Sequence, residues 1–145
     1  MYLLYEETSF KGDALTNLTI IQKMDIKIIC LDENKLDKFV SDMDACGVII
    51  DAIFGTGFKG ALDSQTTKII EAINQFHRKV ISVDIPSGLQ IENNCLKGTC
   101  VKAAKTVCLG LPKTVEMHEA CRDVIGELLV VDIGIPENII RKKLK

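Results

Sequence analysis

The sequence has little of what metal or thiol chemistry needs. It contains only two histidines, His77 and His118, and none of its six cysteines forms a C-x-x-C pair. Cys95 and Cys100, the closest two, have four residues between them, which is poor zinc spacing without histidine support. Reduced cysteines, used in part as small core residues, are expected. No apolar run approaches the ~20 residues of a membrane span. The start, Met1-Tyr2-Leu3-Leu4-Tyr5-Glu6-Glu7, lacks the basic leader and apolar length of a secretory signal, so the expected location is the cytoplasm. A net charge of −2 steers the chain toward neither nucleic acid nor an anionic membrane, and neither is an expected partner. The terminal basic cluster of Arg141, Lys142, Lys143 and Lys145 reads as a solvated helix end. No G-x-x-x-x-G-K-[ST] occurs, which disfavours a phosphate-loop kinase, and there is no internal repeat or low-complexity linker.

What is present is one ordinary domain's worth of chain. Its 145 residues are 47% hydrophobic and 26% charged, enough to bury a core. Short apolar runs alternate with amphipathic stretches. Strands are expected at Tyr2–Tyr5, Ile26–Cys30, Gly47–Phe54 and Lys79–Ile85. Helices are expected over Asp13–Met24, with Leu15, Leu18 and Ile21 inward, and over Lys35–Met43, with Leu36, Phe39 and Val40 inward. Ser64 is placed to cap a third helix through Gln75 that carries Ile69, Ile70 and Ile73. After Gly88 the rhythm changes, with strands at Lys102–Leu109 and Glu127–Val131 and little helical pattern between them. Apolar strands alternating with helices imply a mostly parallel sheet covered on both faces, a Rossmann-like three-layer α/β/α sandwich. Val48, Ile49, Ile50, Ile53, Val80, Ile81, Val83 and Val107 are expected to be buried in one sheet.

Two segments carry candidate chemistry. In Asp51-Ala52-Ile53-Phe54-Gly55-Thr56-Gly57-Phe58-Lys59-Gly60-Ala61 a strand runs into a glycine-rich loop that leads to a helix. Glycines let backbone N–H groups approach an anion, and parallel strands bind ligands at their carboxyl ends. Gly55–Gly60 spells G-x-G-x-x-G, with Asp84 about 20 residues further on, as a dinucleotide fingerprint asks. In that fingerprint the helix starts inside the glycines. Here Asp63-Ser64 form the cap, so the loop is longer and a plain dehydrogenase is disfavoured; a structural turn and a ligand loop both stay open. Asp51 is an acid in an apolar strand, costly unless it is hydrogen-bonded, paired or bound to a cation. It either caps nearby backbone N–H groups or binds a ligand. In Val83-Asp84-Ile85-Pro86-Ser87-Gly88-Leu89 a second buried strand ends in an acid and turns sharply. Two adjacent strands that each end in an aspartate can hold a cation or a general acid–base.

The order of these segments resembles the NAD(P)H-hydrate epimerase family, the N-terminal module of YjeF-type proteins. The match comprises Asp51 to Gly57, Asn74, Val83 to Gly88, Ala103 to Thr106, Lys113 and Asp132 to Pro136, with a looser fit at Lys11 to Ala14 and Asn17. The resemblance implies an isomerase that interconverts the two C6 epimers of hydrated NADH and NADPH, alongside a fused or separate dehydratase that consumes one of them. It implies potassium as cofactor with Asp51 and Ser87 as ligands. Gly55, Thr56, Gly57, Phe58, Lys59, Gly60 and Ala61 become the substrate loop, and Asp84 becomes the acid at the substrate and the candidate for proton transfer. One departure is plain. The family's Asn-Asn-Gly-Gly-Asp-Gly loop, which supplies phosphate contacts and another potassium ligand, is absent, and Asn93-Asn94 is in the wrong place for it. The expectation is a single domain over 1–145 that is incomplete at its N-terminus. An uncovered edge or apolar surface would drive such a chain to self-associate, as a dimer for example. A non-catalytic nucleotide-binding remnant is the alternative reading.

Overall fold

The computed structural model describes residues 1–76, 79–92 and 95–143; His77, Asn93, Asn94 and Lys145 lie outside the described residues. Met1–Ala45 and Cys46–Lys145 form two compact units. In the first, β1 (Tyr2–Leu3) pairs in parallel with β2 (Ile29–Cys30). Helix α1 (Gly12–Gln22) connects them and α2 (Leu36–Asp44) follows. The strands are shorter than the apolar runs that announced them. Only Leu18 of α1 is buried; Leu15 is 45% exposed, because a unit this small has room for a narrow buried stripe only. On α2 the inward residues are Phe39 and Met43, while Val40 is exposed. Tyr2 ties the two elements together. Its ring meets Phe39 edge-on at 5.0 Å, and its hydroxyl donates to Asp42, which also pairs with Lys38 at 2.9 Å.

The second unit is built on a parallel sheet in the order β3 (Val48–Asp51), β4 (Lys79–Val83), β7 (Lys105–Leu109), β8 (Glu127–Val131). Helix α3 (Ser64–Gln75) crosses from β3 to β4. A small hairpin of β5 (Ile91–Glu92) and β6 (Cys95–Leu96) intervenes before β7. A 3-10 turn at Glu119–Cys121 runs into α4 (Arg122–Ile125), and α5 (Glu137–Lys143) comes last. A mostly parallel central sheet with flanking helices is the Rossmann-like arrangement expected of the sequence. The α4 turn was not legible because four residues are too few to show a helical period.

The register explains which apolar residues are inside. Ile49 lies beside Val80, Asp51 beside Ser82, and Ser82 beside Thr106. Paired residues of neighbouring strands share a face, so Val80, Ser82, Thr106, Cys108 and Asp51, all buried, line one side, which is covered up to β8. The opposite side carries Val48, 44% exposed, and Ile50, 58% exposed, at the outer strand of this sheet, with Ile81, Val83 and Val107 half-buried. Both-sided burial was therefore too strong an expectation for β3, though Ile49 and Ile81 do belong to one sheet.

Helix α3 is capped by Asp63, not Ser64. The Asp63 carboxylate accepts from the Thr66 N–H at 2.7 Å, and such a cap contributes about 1 kcal/mol. Ile69, Ile70 and Ile73 face the core, each worth roughly 1.5–3 kcal/mol of burial. At the helix end the Asn74 amide donates to the Cys100 carbonyl at 2.8 Å and accepts from the Lys102 N–H at 2.7 Å, pinning the segment that enters β7. Among the described residues all six cysteines are free, and burial pushes the Cys100, Cys108 and Cys121 thiols up, so they stay protonated core residues. No helix among them is long and apolar enough to cross a membrane.

Asn74→Ala deletes both hydrogen bonds and leaves a buried carbonyl without its partner. It should destabilise the fold by about 2 kcal/mol, read as a lower denaturation midpoint at unchanged slope. An unshifted midpoint would show that the 100–102 segment is held by packing alone.

Candidate functional site

The two aspartates that end neighbouring strands occupy very different environments. Asp51, the last residue of β3, is 1% exposed and its carboxylate is fully engaged. One oxygen accepts from the Ser82 hydroxyl at 2.8 Å and the Ser87 N–H at 2.9 Å. The other accepts from the Ser87 hydroxyl at 2.6 Å and the Ile53 N–H at 3.3 Å. Ser87 Oγ in turn accepts from the Phe54 N–H at 2.9 Å. One side chain thus joins β3, β4, the start of the glycine-rich loop and the Asp-Ile-Pro-Ser-Gly turn. Of the two possibilities left open for Asp51, capping of nearby backbone N–H groups is seen directly, from Ile53 and Ser87.

Asp84 sits just beyond β4 with φ +68, the one described non-glycine residue with a positive φ. Aspartate tolerates this left-handed backbone better than bulky residues, and such strain gathers at functional sites. The turn ends β4 two residues before the expected strand end at Ile85 and swings the Asp84 carboxylate toward β7. There it accepts from the Leu109 N–H at 3.2 Å and from the Lys113 ammonium. Both side chains are about one-fifth exposed, at 23% and 21%. Lys113 Nζ also lies 3.3 Å from Cys108 Sγ and 3.3 Å from the Leu109 carbonyl. Gly88, φ +83, allows the turn to press on the next segment: a Cβ there would meet the Thr99 carbonyl at 2.6 Å.

Between the loop and this turn is a cavity of about 510 Å³. Gly55, Thr56 and Phe58 form one wall; Ile85, Pro86 and Gly88 the floor; Lys113, Thr114, Val115 and His118 the far side, with Gln90 and Ile91 at the hairpin. Of the candidate loop, Gly57, Lys59, Gly60 and Ala61 are exposed and do not line it. Phe58 stacks on Phe54 at 4.4 Å, the Phe58 N–H donates to the Gly55 carbonyl at 3.2 Å, and the Gln90 amide donates to the Gly60 carbonyl at 2.8 Å, which fixes the loop at both ends. Asp51 and Ser87 do not line it, although Pro86 and Gly88 on either side of Ser87 do. Asp84 does not line it either, but its partner Lys113 does.

Sequence reasoning did not single out Ser82, Gln90, Lys113 or His118 as site residues. Ser82 was findable as the hydroxyl that β-pairing sets opposite Asp51. Lys113 stood in the recognised pattern without a role. His118 accepts from the Ala120 N–H through Nδ1 at 3.2 Å, capping the 3-10 turn, and no spacing signals that.

Residues 1–115 match the family described as YjeF-related protein N-terminus. The chain belongs to this family. It is 39% identical over 97% of its length to a bifunctional NAD(P)H-hydrate repair enzyme of Moorella thermoacetica, of which it spans 27%. It is 30% identical over 94% of its length to an NAD(P)H-hydrate epimerase of Oenococcus oeni, of which it spans 61%. The crystal structure of yeast ynu0 superposes with a TM-score of 0.70 at 21% identity, covering 92% of this chain and 55% of that one, a likeness of fold. The chain thus spans only part of the relatives it matches.

Asp51→Asn turns one acceptor oxygen into an NH2 group facing a hydroxyl or an N–H already committed to donate. The expected cost is about 2–3 kcal/mol, seen as a lower melting temperature. Asp84→Asn, partly solvated, should cost less. If the two variants melt alike at the wild-type temperature, the Asp51 lock is not structural.

Proposed function

We propose that this chain acts as an NAD(P)H-hydrate epimerase, interconverting the R and S forms of hydrated NADH or NADPH. The observation that carries the reading is the convergence on one cavity of the Phe-Gly-Thr-Gly loop and the strained Asp84–Lys113 pair. The activities for which the relatives are named point the same way. About 510 Å³ suits the nicotinamide end of a dinucleotide. Ile85, Pro86 and Val115 offer it an apolar surface, and the pyrophosphate would lie along the exposed backbone of Gly55–Ala61, where N–H groups suit an anion. At C6 the substrate carries a hydroxyl beside the ring nitrogen. The nitrogen lone pair expels the hydroxyl when it receives a proton, and water returns from either face. Asp84 is the proposed centre of that proton transfer.

A potassium ion is the proposed cofactor, at Asp51 and Ser87. The fit is one of donor type: a carboxylate, a hydroxyl and the Phe54 carbonyl, 3.4 Å from Ser87 Oγ, offer the hard oxygens such an ion prefers. Asp51 already accepts four hydrogen bonds, so the ion would take the place of the weakest, the 3.3 Å contact from the Ile53 N–H. Bound there, potassium would offset the buried charge of Asp51 and stiffen the loop above it. The setting is proposed to be the cytoplasm, with a fused or separate dehydratase consuming one epimer, a pairing that the bifunctional relatives support. The exposed Val48, Ile50, Leu129 and Val130 support self-association, and a monomer in sedimentation at micromolar concentration would remove that part.

The test is a mixture of both epimers incubated with the purified chain and a stereospecific dehydratase. Full consumption of the mixture is expected, with half left behind when the chain is omitted. Asp84→Asn should lower the rate by about 10²–10⁴-fold while melting near wild type. Replacing potassium by choline should lower the wild-type melting temperature, and Ser87→Ala should abolish that dependence. An unchanged rate in Asp84→Asn would remove Asp84 from the chemistry, and equal melting in both salts would remove the ion.

A further inference from the structure

We infer that Lys113 is the substrate-facing member of the Asp84–Lys113 pair and carries the proton that epimerisation moves, with Asp84 as its fixed counter-charge. The inference rests on the epimerase reading and refines it: the proton placed at Asp84 by that reading is carried by its partner Lys113, which Asp84 holds in place. Lys113 forms part of the cavity wall, whereas Asp84 does not. An ionised carboxylate is an acceptor only, and the Asp84 oxygen that faces Lys113 also accepts from the Leu109 N–H. The ammonium has three N–H donors. Asp84 and the Leu109 carbonyl take two, and the third meets only the weakly accepting sulfur of Cys108 at 3.3 Å. A substrate hydroxyl is a better acceptor than a thiol and would displace it.

The position of the ammonium is fixed from its own backbone. The Lys113 N–H donates to the Glu116 carboxylate at 2.6 Å, and Glu116 is 3% exposed. The titratable groups at Nζ are Asp84 after β4 and Cys108 on β7; Glu116 meets the Lys113 backbone N–H, and His118 lines the same cavity. Burial works to lower the Lys113 pKa, but its hydrogen bonds to Asp84 and Cys108 and the charges there outweigh this and raise it. The ammonium thus persists across the neutral range. It can still protonate the leaving hydroxide, which is a far stronger base than a lysine amine.

The step balances without a co-reactant. The ring-nitrogen lone pair forms a C=N bond as the C6–O bond breaks, and the oxygen takes a proton from Nζ and departs as water. This leaves a neutral Lys113, a ring cation and the Asp84 carboxylate to stabilise it. Water then forms the C6–O bond on the opposite face, and its extra proton returns to the amine.

The test compares wild type, Lys113→Met and Lys113→Arg in the coupled assay, with NMR of the isotope-labelled lysine side chains. Lys113→Met should lose about 10²–10⁴-fold in kcat with a smaller change in KM. Lys113→Arg, whose guanidinium does not give up its proton, should restore KM without kcat. Wild-type activity should be lost only as pH rises through the raised Lys113 value. The Lys113 resonance should titrate above the ordinary lysine value, drop in Asp84→Asn, and move when hydrated NADH is added. Wild-type turnover retained in Lys113→Met would overturn the inference and spare the epimerase reading. No wild-type turnover, with the Lys113 resonance still moved by hydrated NADH, would overturn the epimerase reading and keep Lys113 as the ligand-facing group. Neither turnover nor a moved resonance would overturn both.

Discussion

The site depends on one buried carboxylate. Removing Asp51 from water costs several kcal/mol, and the protein offsets this with two hydroxyls and two backbone N–H groups at 2.6–3.3 Å. Those donors come from β4, from the residue two beyond β3 and from the Pro-Ser-Gly turn. Satisfying Asp51 therefore brings three chain segments to one point. With the turn held, Asp84 is left in its left-handed conformation directly opposite Lys113, and the loop from Gly55 leaves the sheet in a fixed direction. The strain at Asp84 is tolerated because its neighbours on both sides are anchored: its N–H donates to the Val107 carbonyl at 2.8 Å, and Ser87 is locked to Asp51.

The two aspartates look alike in the sequence, each an acid closing an apolar strand, yet the structure separates their roles. Asp51 faces the covered side of the sheet, where every donor is protein. Asp84 is turned out of the strand toward a lysine that meets the cavity. A buried, saturated acid gives rigidity, and a partly solvated pair can exchange partners with a ligand. That division is what a reaction needing both a fixed frame and a mobile proton requires.

Much of this was legible from pattern. The parallel α/β alternation, the glycine-rich loop at a strand end and the Asp-Ile-Pro-Ser-Gly turn all follow from local sequence, because strand apolarity and turn chemistry are local properties. What stayed hidden depends on register and on distant partners. The exposure of Val48 and Ile50 follows from which neighbours cover one side of β3, which its own apolar letters do not encode. The role of Lys113 emerges only when the β7 exit brings it back across 29 residues of chain to Asp84. The cap at Asp63 in place of Ser64 is a one-residue choice between two good capping types, decided by backbone geometry.

The measurement that bears most directly on the account starts from a single purified epimer of hydrated NADH. Chromatography follows the appearance of the other epimer with and without the chain, in potassium buffer at neutral pH. The account predicts that the chain brings the two epimers to their equilibrium ratio far faster than buffer alone. Formation of the second epimer at the uncatalysed rate, by a chain whose melting transition shows it folded, would contradict it.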